Sequence, residues 1–447
     1  MIFHIETLGC SRNQVDSEIM LTKLQNAGHV PADEPARAQA IVVNTCTFIT
    51  TASDEAVETI LEMAAYKQSG ACERLIVTGC LAQRYKNDPD LTTTLPEVDA
   101  FLGTAACEQI VDAVESRETQ TLTLFPAPGT RGFQDPSEKR AVTTGPYAFI
   151  KVSEGCDRHC TFCIIPTLRG RQRSRPVAEI ISEACHLSRQ GAEEIVLTAE
   201  NTTDYGKDLS QSFGFDQVIA QLSDALASAA GDAAPPWLRF LYAHPATLNR
   251  QVVETVSARP SVCSYYDVPI QHASSRMLKK MGRPYTREDL VAVFDMIRQV
   301  DPDATLRTTL IVGFPGETET DFQELLDFIK KIRFDHLGVF TYSDAEDLPA
   351  HHLEDDVDPQ VAESHQDMIM AAQADISKSV NERHLGRVYE VLVEENPEPG
   401  VYIGRTQFQA PEVDGVTFIY SDGLEINTRV RVKITDAYEY DIAGELE

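Results

Sequence analysis

Short apolar runs alternate with amphipathic stretches from the N terminus to about residue 376, and that alternation is what most narrows the folds open to this chain. Strands separated by helices pair in parallel, because a parallel neighbour is reached only through a crossover of a dozen or more residues. In the first block FHIETLGC, AIVVNTC and RLIVTGC read as strands, and SDEAVETILEMAAYK has helical periodicity. Ser53 is expected to cap that helix, with Asp54 and Glu55 favourable to its dipole. Residues 1–125 are thus expected to form a parallel α/β domain. Pro, Gly and Thr accumulate from Phe125 to Gly145, which predicts a linker, placed at 126–141.

The second block, 142–376, carries six candidate strands: YAFIKVS, EEIVLTAE, LRFLYAHP, YYDVPIQHA, TLRTTLIVGF and HLGVFTYS. Amphipathic helices such as REDLVAVFDMIRQV and ETDFQELLDFIKKIRF separate them. This predicts an incomplete (β/α)6 barrel with its active site at the C-terminal strand ends, where EGC, AEN, QHA and VGFPGE fall. From Ser377 the pattern changes to RVYEVLVEE, VYIGRTQ, GVTFIY and RVRVKITDAYEYDIAGEL. Those runs predict a small antiparallel β-barrel over 377–447, similar in size to an oligonucleotide-binding barrel.

Ten cysteines in 447 residues are too sparse for a disulfide framework, which points to a reducing compartment. Met1 leads straight into a strand, and no apolar run approaches the ~20 residues of a membrane span, so a soluble, cytoplasmic protein is expected. The net charge is -30, from 39 Lys+Arg against 69 Asp+Glu. A protein that grips a polyanion presents basic surface, whereas this chain would repel nucleic acid at long range and attract a basic partner. An acidic surface kept for solubility gives the same count. Residues 381–447 hold fourteen Asp or Glu and six Lys or Arg, an unpromising grip for RNA.

Two sets of cysteines carry the chemistry. Cys156, Cys160 and Cys163 stand in EGCDRHCTFC. Three thiolates in so short a run suit three irons of a four-iron cluster, whereas a zinc site or a ferredoxin cluster needs a fourth protein ligand. Half of a zinc site, or three incidental buried thiols, are the other readings of this spacing. Cys10, Cys46 and Cys80 lie far apart in sequence, but each ends a candidate strand of the first block, where an open parallel sheet gathers its ligands. Buried structural cysteines are the alternative there. Cys72, Cys107, Cys185 and Cys263 have no motif and read as packing residues.

The CxxxCxxC spacing resembles that of the radical SAM enzymes, whose cluster binds S-adenosylmethionine on its open iron. The whole chain resembles the methylthiotransferases, on the runs TLGCSRNQVDSE, VNTCTFI, VTGCLAQRY, EGCDRHCTFCIIPTLRGRQRSRP, LRTTLIVGFPGETE and VFTYS. Within them it is similar to the branch that modifies small-subunit ribosomal protein twelve, on IVLTAENTTDYG and GRTQFQAPEVDGV followed by TDAYEYDIAGEL. YSDAEDLPA departs from the family pattern at Asp347 and Leu348, where a Gly-Thr pair is usual.

The resemblance implies a three-cysteine domain, a radical SAM barrel and a C-terminal TRAM barrel, with two 4Fe-4S clusters and S-adenosyl-L-methionine as cofactors. One cluster, on Cys156, Cys160 and Cys163, would cleave S-adenosylmethionine with an electron from a reduced donor. The resulting 5′-deoxyadenosyl radical would take hydrogen from the β-carbon of an aspartate in the basic ribosomal protein. The second cluster, on Cys10, Cys46 and Cys80, would deliver the methylthio group, giving 3-methylthioaspartate. Phe162 is expected against the adenine, and Glu200 and Asn201 near the amino group. Gln271, His272 and the turn Gly313–Gly316 are strand-end candidates for cofactor or substrate. Arg169, Arg171, Arg173 and Arg175 form a basic run that would meet a carboxylate, an acidic neighbouring domain or solvent. A transfer-RNA adenosine methylthiotransferase and a non-catalytic iron–sulfur electron carrier remain the alternatives at this point.

Overall fold

Every residue of the strands Ala40–Thr45 and Arg74–Gly79 is buried, as expected of parallel strands covered by helices on both faces. The structure, a computed structural model, describes residues 1–118, 120–130, 140–143, 145–210 and 213–447. The first sheet has six strands: β1 (Ile2–Thr7), β2 (Val30–Pro31), β3 (Ala40–Thr45), β4 (Arg74–Gly79), β5 (Ala100–Leu102) and β6 (Leu122–Leu124). They pair in the order β2-β1-β3-β4-β5-β6, all in parallel. The three expected strands are its centre. The other three are two or three residues long, too short to show a period. The helix expected to start after Ser53 spans Thr50–Ser69 instead, with Ile49 at its cap. Ser53 lies a turn inside, where its N–H donates to Ile49 O at 3.1 Å and its hydroxyl meets Thr47 Oγ1 at 2.5 Å.

The expected six strands also form the barrel: β7 (Tyr147–Lys151), β10 (Glu194–Thr198), β11 (Trp237–Phe240), β12 (Tyr265–Asp267), β13 (Thr305–Val312) and β14 (His336–Thr341). Between the first two comes a short antiparallel pair, β8 (Ser153–Glu154) and β9 (Arg173–Ser174). β7, β10 and β11 make one parallel sheet and β12, β13 and β14 another, joined through a parallel bridge from Leu238 to Val262. Alternate residues face opposite ways, as strand geometry requires. Ala148, Ile150, Ile195 and Leu197 pack outward on the helices, whereas Phe149 and Val196 face inward. There they meet Val15 and Ile19 of the helix Ser11–Asn26, so the first domain packs into the barrel beside β7.

That junction is clasped by Arg140, which is fully buried. Its guanidinium pairs with Glu18 of the first helix, donates to Glu183 at 2.7 Å and to Phe149 O at 2.6 Å. Arg140 lies in the span expected as linker, of which 131–139 fall outside the described residues. The anomalous Asp347 serves the same junction. Arg84 Nε donates to it at 2.8 Å, and Leu348 packs with Cys80, Ile164 and Leu168, so the departure from the family pattern builds an interdomain contact.

A closed five-strand barrel ends the chain, in the order β15 (Val388–Glu398), β16 (Val401–Arg405), β17 (Thr417–Tyr420), β19 (Ile442–Leu446) and β18 (Arg429–Ala437). All its pairs are antiparallel except β17 with β19. The run 429–446 reads as one strand in sequence but turns back at Tyr438, whose N–H donates to Asp441 O at 2.9 Å. The helix Pro359–Asn381 continues through the boundary expected between 376 and 377. Asp414 is buried between domains: Tyr265 Oη donates to it at 2.6 Å, and Arg307 Nε stands 3.3 Å away. Tyr265 and His336 open β12 and β14, so the third domain seats on the N-terminal ends of the barrel strands. Among the described residues no helix is long and apolar enough to cross a membrane.

Candidate active site between two cysteine sets

Register brings the first three cysteines together. Thr7 lies opposite Asn44 and Asn44 opposite Thr78, so β1, β3 and β4 end side by side. Cys10 then caps the helix Ser11–Asn26, Cys46 follows β3 directly, and Cys80 opens the short helix Cys80–Arg84. Asn13 stitches the loops, its amide donating to Leu8 O at 2.8 Å and Thr45 O at 3.0 Å. Burial pushes the Cys80 thiol up to about 11 and raises Cys46. At Cys10 burial acts in the same sense, but Arg12 and Arg169 outweigh it and the thiol is lowered. Arg169 also reaches Cys80, with Nη2 4.0 Å from its sulfur.

Cys156, Cys160 and Cys163 lie on the loop between β8 and the helix Ile165–Arg169. Thr161 pins that loop, its N–H donating to Met281 O at 3.1 Å and its hydroxyl to Lys280 O at 3.0 Å. Burial raises Cys156 to about 11 and Cys163 to about 12. Burial disfavours the free thiolate, so these sulfurs lose their protons to solvent when a positive metal centre takes the proton's place. Among the described residues no three His, Cys, Asp or Glu side chains gather around a single metal-ion position. A four-iron cluster spreads its cysteines over separate irons.

These three cysteines line a cavity of ≈ 240 Å³, closed by the barrel strand ends and by Arg12 and Phe48 of the first domain. Glu200 marks what it suits. Its side chain is 4% exposed, and neither carboxylate oxygen has a hydrogen-bond partner among the described residues. Arg12 Nε and Arg169 Nε stay 3.9 Å away. A buried carboxylate without donors is costly, and it is satisfied by a ligand bearing an ammonium group. Tyr242 and Gln271 line the same cavity with φ of 62° and 71°, left-handed angles that non-glycine residues hold mainly where function demands it. The residues present therefore fit a cluster on the three cysteines with an amino-acid-bearing cofactor beside it.

Of the residues expected to bind the cofactor, Phe162, Glu200, Asn201 and Gln271 line the cavity. Gly313 does not. At φ +70 its missing Cβ would fall 2.4 Å from that of Ala362, so helix packing accounts for the glycine. His272 is also away from the lining and fully buried, with Nδ1 accepting from Ala273 N and Ser274 N at 2.9 Å each, which is the structural role. The basic run mostly turns inward: Arg169 onto Asp16 and Glu154, Arg173 towards Glu154, Arg175 onto Glu183. Arg171 alone of the four points to solvent, beside Asp157. The acidic-neighbour reading holds for Arg169, whose partner Asp16 belongs to the first domain. Cys72, Cys107, Cys185 and Cys263 are buried in packing.

Sequence reasoning missed Arg12, Tyr242, Arg283 and Thr309, which line the cavity together with Phe48, Arg158, Ile165, Ala243, His244 and Pro269. Arg12 carried one signal, its place two residues after Cys10. Arg283 lies over the Phe162 ring at 5.5 Å, and it interacts electrostatically with Cys156, Cys160 and Cys163.

Comparison with known proteins follows the same three parts. Residues 2–103 match Uncharacterized protein family UPF0004, 150–329 the Radical SAM superfamily, and 385–446 the TRAM domain. The chain is 47% identical over 449 residues to the ribosomal protein uS12 methylthiotransferase RimO of Desulfosudis oleivorans, covering 100% of both. It is 41% identical over 444 residues to the protein of that name from Clostridioides difficile, covering 99% of this chain and 98% of the other. Among solved structures, the radical S-adenosylmethionine methyltransferase TsrM of Kitasatospora setae aligns with a TM-score of 0.56 at 14% identity, over 84% of this chain and 88% of that one. At that identity the likeness is one of fold.

Proposed function

The chain belongs to the ribosomal protein uS12 methylthiotransferase family, and from that membership we propose that it transfers a methylthio group to the β-carbon of an aspartate in uS12, with two iron–sulfur clusters and S-adenosylmethionine. The observation that carries the reading is the shared cavity: one three-cysteine loop lines it directly, and Arg12, beside the other set, reaches into it. Cys156, Cys160 and Cys163 would hold a four-iron cluster, which, reduced by an external electron donor, would supply the electron for reductive cleavage of S-adenosylmethionine.

The protein's own work is placement. Glu200 would hold the amino group of S-adenosylmethionine, since its orphaned oxygens face the cavity. Arg283, among the cluster cysteines, is placed for the carboxylate, with Phe162 against the adenine and Asn201 and Gln271 along the strand ends. Asn201 is oriented by its amide's bond to Asp204 at 2.7 Å. Cys10, Cys46 and Cys80 would hold the second cluster, facing the substrate from the other domain. The buried contact between Val15 and Ile19 of the first helix and Phe149 and Val196 of the barrel holds the two domains in place on either side of it. The net charge of -30 supports a basic ribosomal protein over RNA as substrate.

Reconstituted protein is expected to carry about eight irons per chain, as two four-iron clusters, and about four in either triple cysteine-to-alanine variant. The variant lacking Cys10, Cys46 and Cys80 should still form 5′-deoxyadenosine from S-adenosylmethionine under reduction, and the variant lacking Cys156, Cys160 and Cys163 should not. Zinc in place of iron, or cleavage that survives loss of Cys156, Cys160 and Cys163, contradicts the proposal.

A further inference from the structure

We infer that Arg12 is the residue that binds the carboxylate of the target aspartate, and so a specificity determinant supplied to the barrel by the first domain. This rests on the uS12 reading above. If the reacting carbon is that of an aspartate side chain, a carboxylate enters a cavity lined by the buried Asn201 and His244, and a carboxylate drawn out of water needs a cation with hydrogen bonds to offer.

The cavity contains three arginines, Arg12, Arg158 and Arg283. Arg158 is committed: its Nε and Nη2 donate to Asp204 at 3.1 and 3.0 Å. Arg283 sits 5.5 Å over the ring of Phe162, which stands between Cys160 and Cys163 in the EGCDRHCTFC loop, the cofactor's side. Arg12 is left, brought to the cavity by the first domain, two residues after Cys10 in the sequence.

Arg12 is also held ready. Its Nη1 donates to Ala199 O at 3.0 Å, and the guanidinium lies 5.1 Å over the ring of Tyr242. The backbone that presents this ring takes φ 62°, and Tyr242 N donates to Asp267 at 2.9 Å. Yet Nε of Arg12 is buried without a hydrogen-bond partner among the described residues. The nearby anion is Glu200, too far at 3.9 Å to satisfy it. Charge matching completes the assignment. An ammonium group on Glu200 and a cofactor carboxylate on Arg283 leave Arg12 as the cation for the substrate's charge. The planar guanidinium, with several parallel donors, suits a carboxylate and offers nothing comparable to an amide.

The test compares two peptides that span the target residue of uS12, one with the natural aspartate and one with asparagine there, on reconstituted holoenzyme. Binding is read by fluorescence polarisation and turnover by the methylthio mass gain, in wild type, Arg12→Lys and Arg12→Gln. Iron content and electron paramagnetic resonance establish that each protein retains its clusters. Wild type should prefer aspartate over asparagine by roughly 10- to 100-fold, the range of a charge-assisted hydrogen bond. Arg12→Gln should bring that preference close to one with clusters intact, and Arg12→Lys should keep most of it. An unchanged preference in Arg12→Gln, or equal weakening towards both peptides, overturns the assignment. So does equal acceptance of both peptides by wild type, a result that needs no variant. A wild type that cleaves S-adenosylmethionine but modifies neither peptide overturns the uS12 reading itself, and this assignment falls with it.

Discussion

A methyl group added at Gly9 would stand 2.6 Å from Cβ of Cys46 and 3.0 Å from its sulfur, on a backbone at φ +91 that other residues rarely adopt. Gly155, before Cys156, is as tightly placed, with Arg171 O 2.3 Å from where its Cβ would be. Gly9→Ala is therefore expected to push Cys10 and Cys46 apart. Iron should fall by about four per chain while 5′-deoxyadenosine formation survives; full iron in this variant would contradict the packing argument. At this scale the cysteines were legible in sequence, because ligand chemistry fixes residue type and, for one set, spacing. Arg12, Arg283 and Tyr242 were not, since what they do arises from tertiary placement. The strand-end rule that found Glu200 and Gln271 also picked out Gly313 and His272, for it locates a layer of the barrel and not which side chains of that layer face the cavity.

The contact between the first helix and the barrel is an element that sequence periodicity does not show, since Glu18, Arg140 and Glu183 are charged residues in a fully packed place. Strands and helices were legible wherever four or more residues kept a period. β2, β5 and β6 escaped through shortness, and the return between β18 and β19 escaped because apolar alternation continues across it. The clasp also sets a pH response. Burial works to raise the Glu183 carboxyl, but Arg175 and Arg140 override it and hold it down at about 2, from an ordinary 4.5. A depressed carboxyl contributes stability that is complete above its unfolded value and fades as pH falls towards the folded one. Glu183→Gln should thus cost about 3–5 kcal/mol at neutral pH, by leaving two buried guanidiniums short of a counter-charge. In urea titrations the gap from wild type should narrow between about pH 4.5 and pH 2. A gap that stays constant over that range would show that the ion pairs are not what Glu183 contributes.

Across the whole molecule, two parallel α/β units meet at their cysteine-bearing ends, and the third domain seats on the far end of the barrel. That arrangement explains why the Ala410–Gly415 run contains an acid at all. Asp414 anchors the domain through Tyr265 and Arg307, leaving the outer strands and their excess of acidic residues to face solvent. In the proposed reading the cysteine-bearing end performs the chemistry, and the acidic surface favours a basic macromolecule as substrate. The direct test of the account is to incubate reduced, reconstituted protein with S-adenosylmethionine and either uS12 or transfer RNA, and to look for a methylthio mass gain. The gain is expected on uS12, at an aspartate, with none on the RNA; a gain on the RNA and none on uS12 would contradict the account.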